Sequence, residues 1–261
     1  MGRFEILPKF YYNTYIYKQK TNIQKMEHTL GIYNGFGIMP TTNCVAAGLD
    51  FYIPLFKTEE QVNNFLDAIK KSYNIDNDVV QNLIKIIQGE LSKYNYPNDY
   101  ITTINVLHLF LSYKNSFIGH KDKHLYEIGA FFRHEILMFD DNGVPGISMN
   151  LNDTLLVNSG LKLNLEPGTA GIFFNKSGKG NQGFDIRACV VDEDYTGYVH
   201  LSIAFTKETP CVVYCGDKLM QMVILPVIHP AIKELTKSEY SDVTSDSARG
   251  DKGFGSSDIK H

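Results

Sequence analysis

The chain has 261 residues, 43% of them hydrophobic, and a formal net charge of −4. That length serves one large domain or two small ones, and that apolar content excludes wholesale disorder. The mild acidity argues against a general binder of nucleic acid or of a membrane surface, while a local basic pocket for a small polyanion stays open.

The N-terminus, MGRFEILPKF, lacks the long apolar run of a signal peptide, and Ile6 stands where a myristoylation signal wants Ser or Thr. The longest apolar stretch, LMQMVILPVI, is too short to span a bilayer. These features predict a soluble cytoplasmic protein with reduced thiols at Cys44, Cys189, Cys211 and Cys215.

Thr58 with Gln61 fits a capping box, and Val62, Phe65, Leu66, Ile69 and Tyr73 follow at helical spacing. Asp78 is placed to cap a second helix whose apolar face is Val80, Leu83, Ile84, Ile87 and Leu91, with Pro97 ending it. Between residues 101 and 138, INVLHLFLSY and IGAFFRHEILMF suit either a buried helix or a buried strand. Within GHKDKH, His120 and His124 stand four apart near Asp122 and Glu127. On a helix they could share a metal; a solvated charged loop is the alternative. RHEILM lacks the second histidine of a zinc-protease helix.

From about residue 150 the texture becomes β. LLVNSGLKLNLEPGTAGIFF, ACVVDEDYTGYVHLSIAF and PCVVYCGDKLMQMVILPV are short strands broken by turn residues, the mark of a sandwich or barrel. Cys211 and Cys215, four apart with no second pair, read as small hydrophobes in a strand rather than a zinc knuckle. Residues 236–261 read as a polar tail with no core of its own.

Four stretches carry chemistry. In VVDEDYTG, alternation puts Asp192 and Asp194 on one face and Glu193 on the other, beside Tyr195. An aspartate there could polarise a water, and the tyrosine could pack on a flat or sugar-like ligand; an acidic hairpin corner is the alternative. In FFNKSGKGNQG, Lys176, Ser177 and the glycines suit phosphate oxygens, although the spacing is not that of a P-loop and a flexible polar turn is the other reading. AAGLDFYIP places Asp50 behind a small-residue turn, where one carboxylate could hold waters of a magnesium ion. Gln221 in CGDKLMQM is a lone amide in an apolar run that needs hydrogen-bond partners.

Taken in order, AAGLDF, NKSG, CVVDEDYTG, GDKLMQM and RGDKGFGSS resemble the five motifs of the trimeric dUTPase family. The resemblance implies a mainly β fold, a distorted jelly-roll barrel assembled as a homotrimer. It also implies magnesium-dependent hydrolysis of dUTP to dUMP and pyrophosphate, which keeps uracil out of DNA and supplies dUMP for dTMP synthesis. By motif position, Asp192 would aim and deprotonate the water that attacks the α-phosphorus. Tyr195 would pack under the deoxyribose and leave no room for a 2′-hydroxyl. The hairpin backbone at residues 184–189, with Ile186 and Cys189, would read the base, and Phe254 would cover it. Lys176, Ser177, Gly178, Gln221, Arg249, Gly255, Ser256 and Ser257 would contact phosphates, and Asp50 would hold magnesium-bound water. The C-terminal arm would be a mobile lid.

Three features depart from that pattern. Asn175 and Lys176 replace the usual Pro-Arg, so the charge stays while the planar fork is lost. Asp50 and Ser177 are much farther apart than the corresponding family residues, which predicts a partly helical inserted subdomain at 58–148. The division expected is 1–57 for an N-terminal extension and first barrel strands, then the insertion, then 149–235 for the rest of the barrel and 236–261 for the arm. Some phage members carry an insertion at the same place, where it helps contact a regulatory protein; a regulatory partner is therefore expected here, with no membrane and no direct nucleic-acid binding. A phage-encoded protein would work in the host cytoplasm. The alternatives are a dCTP deaminase, disfavoured by NKSG and by Tyr195, and a nucleotide-binding regulatory protein without turnover. The RGD at 249–251 reads as the start of the arm rather than as an adhesion signal.

Overall fold

A computed structural model describes residues 29–41, 47–113 and 124–244. Strands β1 (Gly31–Asn34) and β2 (Leu49–Tyr52) precede helices α1 (Glu59–Tyr73), α2 (Asn77–Lys93), α3 (Tyr100–Ser112) and α4 (His124–Arg133). Strands β3 (Leu137–Phe139), β4 (Pro145–Met149), β5 (Thr154–Asn158), β6 (Leu161–Asn164) and β7 (Thr169–Asn175) follow. The short helix α5 (Ser177–Gln182) leads into β8 (Phe184–Ala188), β9 (Val190–Val191), β10 (His200–Phe205), β11 (Cys211–Tyr214) and β12 (Lys218–Pro226), and α6 (Lys237–Thr244) comes last.

Helix α1 forms as its sequence dictates. The Thr58 hydroxyl accepts from the Gln61 amide, the Gln61 side chain accepts from the Thr58 amide, and Val62, Phe65, Leu66 and Ile69 are buried. Helix α2 starts one residue ahead of the expected cap. Asp76 holds the N-cap position and Asp78 lies in the first turn, where its charge still suits the helix dipole.

Helix α3 resolves the first ambiguous run. Every residue from Thr103 to Ser112 is buried, because the helix packs against α1, α2, β4 and β5. A helix covered on all sides has no polar face, so its period is invisible in sequence. Two of its polar side chains find backbone partners. Asn105 accepts from the Phe56 amide at 2.8 Å and donates to the Phe56 carbonyl at 3.1 Å, and Ser112 donates to the His108 carbonyl at 2.8 Å. The second ambiguous run divides between α4 and β3. His120 lies outside the described residues, and so does the side chain of His124.

All strand pairs are antiparallel and fall into four small sheets, β1-β6, β5-β10-β8, β11-β4-β3 and β2-β12-β7-β9. The arrangement is jelly-roll-like without closing into one barrel. Cys211 is half-buried in β11 and Cys215 is buried just after it. Burial raises the Cys215 thiol above its ordinary pKa, with the Asp217 charge adding to the shift.

The helices of the 58–148 segment share a core with the strands: it runs from Phe36 and Phe56 through α1–α4 to Leu155, Leu201 and Met222. Strand β3, inside that segment, pairs with β4. By contacts the chain divides into Met1–Val227 and Ile228–His261. In the second unit, Thr236 and Glu239 cap α6 reciprocally, so residues 236–244 are more ordered than a structureless tail.

Candidate active site

Strands β2, β12 and β7 bring three of the distant motifs together. Asp50 on β2 stands opposite Gln221 on β12, and Gln221 stands opposite Phe174 on β7. The Gln221 amide donates to the Asn175 carbonyl at 3.1 Å. Gly48 makes room for it, since a Cβ there would lie 3.2 Å from Gln221 Oε1. Strand β7 then delivers Lys176 to the N-cap of α5, with Ser177 and Gly178 as its first residues.

Asp50 is held by two ammonium groups. Lys176 Nζ lies 2.5 Å from Oδ1 and Lys218 Nζ lies 3.0 Å from Oδ2. Burial alone would raise the Asp50 carboxyl, but the hydrogen bonds and charges of the two lysines outweigh it and keep its pKa below 3.8. A third ammonium, Lys179 on α5, pairs with Asp217 at 3.0 Å and so ties α5 to the β11–β12 turn. The sequence directs Asp50 toward magnesium-bound water; in the structure its carboxylate is occupied by lysines, because both neighbouring strand ends carry one.

Lys218 is absent from the expected site. Residues 218 and 221 have opposite parity, so strict alternation puts them on opposite faces of β12. A register shift between Lys218 and Met220 cancels that offset, as a β-bulge does, and turns both toward Asp50.

The second part of the site is the β9–β10 connection. Its turn is closed by the Tyr195 amide on the Asp192 carbonyl at 3.2 Å. Tyr195 folds back so that its hydroxyl donates to the Tyr198 carbonyl at 2.9 Å, leaving its ring 42% exposed. Gly197 permits this fold-back, because a Cβ there would lie 2.5 Å from the Tyr195 hydroxyl oxygen. Glu193 points away and accepts from the Gly168 amide, which pins the hairpin to the β6–β7 turn. Asp192 is exposed and lines a cavity of about 180 Å³ with Tyr195, Val199 and His200. Strand β9 ends at Val191, and Glu193 and Asp194 form a turn, so strand alternation does not govern these three carboxylates.

Ile186 and Cys189 line a wider groove of about 430 Å³ with Phe173, Phe174, Asn175, Asp185 and Arg187. The Cys189 carbonyl accepts from the Phe173 amide at 2.7 Å, so this groove wall is held by backbone. The groove runs to Asn175, next to the lysine cluster. Arg249, Phe254, Gly255, Ser256 and Ser257 lie outside the described residues. Among the described residues, no hydrogen bond or ion pair joins Asp192 or Tyr195 to the Asp50 cluster.

The structure thus combines a β-rich scaffold, an acidic β9–β10 connection and a lysine–aspartate cluster. The sequence model of the dUTPase family matches residues 146–258. The deoxyuridine 5′-triphosphate nucleotidohydrolase of Shewanella oneidensis is 33% identical over 112 residues, covering 41% of this chain and 70% of that one. The corresponding protein of Paramecium bursaria Chlorella virus 1 is 27% identical over 122 residues, 46% of this chain and 82% of that one. Among solved structures, a dUTPase of Staphylococcus bacteriophage 80alpha matches 88% of this chain and 99% of its own, with 13% identity and a TM-score of 0.45. The chain belongs to the dUTPase family. No helix among the described residues is long and apolar enough to cross a membrane.

Proposed function

We propose that this protein hydrolyses dUTP to dUMP and pyrophosphate. The observation that carries the reading is the hairpin, where an exposed Asp192 adjoins a tyrosine whose ring is fixed by backbone, in a chain of this family. Asp192 takes the proton of the attacking water and aims its oxygen at the α-phosphorus. Tyr195 presents its ring to the deoxyribose, and the groove at Ile186 and Cys189 receives the base. Lys176, Lys218, Ser177, Gly178 and Gln221 receive the phosphates. Phosphoryl hydrolysis relies on positioning and charge neutralisation more than on covalent chemistry, which fits a site of one carboxylate and several cations.

The donor set fits a magnesium ion that arrives on the triphosphate. Asp50 shares its charge with two lysines, which suits water-mediated contact with an ion that keeps most of its hydration shell. Once bound, magnesium neutralises charge on the phosphates. With Lys176 and Lys218 engaged by phosphate oxygens, Asp50 would be the residue that holds the ion's hydration water. A homotrimer in which the β9–β10 connection of one protomer faces the Asp50 cluster of another would complete the site. Arg249, Phe254, Gly255, Ser256 and Ser257 would complete it from the arm, with Arg249 on phosphate and Phe254 over the base. The helical region at 58–148 is the surface we assign to a regulatory protein partner.

Pyrophosphate release is measured for dUTP, dTTP, dCTP and UTP with and without magnesium, alongside ammonia release from dCTP. Fast, magnesium-dependent turnover of dUTP alone is expected. Ammonia from dCTP would establish the deaminase instead, and absence of turnover would leave a nucleotide-binding regulator.

A further inference from the structure

We propose that His200 is a positioning residue that ties the helical region to the sugar-binding hairpin, acting through a carbonyl it shares with Tyr195. The inference rests on the dUTP reading above. The Tyr198 carbonyl lies 2.9 Å from the Tyr195 hydroxyl and 2.8 Å from His200 Nδ1. A carbonyl only accepts, so Nδ1 carries the proton, and the two donors use both lone pairs. The orientation of the Tyr198–Val199 peptide therefore decides where the Tyr195 hydroxyl is anchored and how its ring lies.

That peptide is fixed from two sides. On one side, the Tyr198 ring packs against Phe36 at 5.2 Å and under the Lys162 ammonium at 4.9 Å. Its hydroxyl sits over Gly35, where a Cβ would come within 2.6 Å. Phe36 in turn meets Phe65 of α1 edge-on at 5.4 Å, and Asn64 of α1 donates to the Gly35 carbonyl at 2.8 Å.

On the other side stands His200. It faces Asn158 across the β10–β5 pair, and the Asn158 carbonyl lies 3.1 Å from Nε2 of the buried His108 on α3. His108 and His200 line one cavity of about 200 Å³ together with Phe65, Ile69 and Leu111. His200 also lines the cavity that holds Asp192 and Tyr195, and it is the residue common to both. A shift of α1 thus reaches the Tyr198 carbonyl through Phe36 and the Tyr198 ring, and a shift of α3 reaches it through Asn158 and His200.

The test measures kcat/KM for dUTP and UTP in His200→Ala and His200→Asn. Asparagine puts an N–H near the place of Nδ1, and alanine puts none. Losing one such hydrogen bond is expected to lower the dUTP-over-UTP preference about fivefold to tenfold in H200A, with H200N within about twofold of wild type. In a double-mutant cycle, H200A on a Tyr195→Phe background adds no further loss of preference, because the hydroxyl that shares the carbonyl is gone. Loss of packing alone would slow both substrates in proportion and leave the ratio unchanged. A wild-type ratio in H200A, or an asparagine variant as poor as alanine, overturns the proposal. Should H200A not fold, H200N against His200→Gln makes the same comparison between two amides that differ in where the N–H stands. Failure of the dUTP reading shows in the wild-type protein, whereas failure of the His200 role shows in the variants alone.

Discussion

The two parts of the site are held in opposite ways. Around Asp50 the charges are paired with one another, so the carboxylate and the Lys176 and Lys218 ammonium groups form a closed network. On the β9–β10 connection the carboxylate of Asp192 stands exposed while the frame around it is fixed by a backbone acceptor and by Gly197. The first part must exchange partners when a polyanion arrives. The second is already arranged and needs only a substrate. Positioning that exists before binding costs nothing at the moment of reaction, so the function proposed above puts the chemistry on the β9–β10 connection and the adaptable electrostatics on the lysines.

The sharpest break of that contrast is Asp192→Asn. With no partner among the described hydrogen bonds and ion pairs, the side chain contributes little to the fold. Turnover of dUTP is expected to fall about 1,000-fold while the melting temperature stays at the wild-type value. Steady-state pyrophosphate release and a thermal melt check both halves. Activity within about tenfold of wild type would remove Asp192 from its role.

Gly197→Ala attacks the frame rather than the carboxylate. The new methyl would lie 2.5 Å from the Tyr195 hydroxyl oxygen and 2.7 Å from Cζ, so the ring must leave the Tyr198 carbonyl. A loss of about 10-fold to 100-fold in kcat/KM for dUTP is expected, as misplacement of a positioning group commonly produces. UTP turnover should suffer less, which comparison of the two substrates measures. An unchanged dUTP-to-UTP ratio would mean that the ring orientation does not set sugar selectivity.

Legibility in the sequence followed the range of the interactions. Helix α1 announced itself because its capping box and apolar spacing are local. Helix α3 did not, because burial on every side erases the period. The start of the sheet at Leu137 was hidden since β3 is defined by its pairing with β4, not by its own three residues. Lys218 was missed because a register shift reverses its face, and Gly197 because a close approach is a property of packing. The glycine after Tyr195 was visible as part of a family-like motif, but its physical reason was not. The motifs marked which strands matter, and groups outside them, such as His200 and Phe36, touch the residues that hold the motif side chains in place.

The smallest effect concerns the closed network and is read as stability against pH. Asp50→Asn leaves Lys176 and Lys218 facing each other without their counter-ion. The Asp50 carboxyl has a folded pKa below the ordinary 3.8, so its ion pairs favour the folded state wherever the unfolded carboxyl would be ionised. That contribution is fully present above about pH 4 and is lost as the pH falls through the lowered folded value. Because both lysines reach solvent, the gap between wild type and D50N should be small at pH 7. Denaturant unfolding from pH 7 down to pH 2 should show the gap constant at first and then closing. Salt should narrow it at neutral pH, since both lysines reach solvent. A gap that stays constant through acid would mean that the carboxylate's charge is not what holds the cluster, and the contrast with the uncharged hairpin frame would fail on this side.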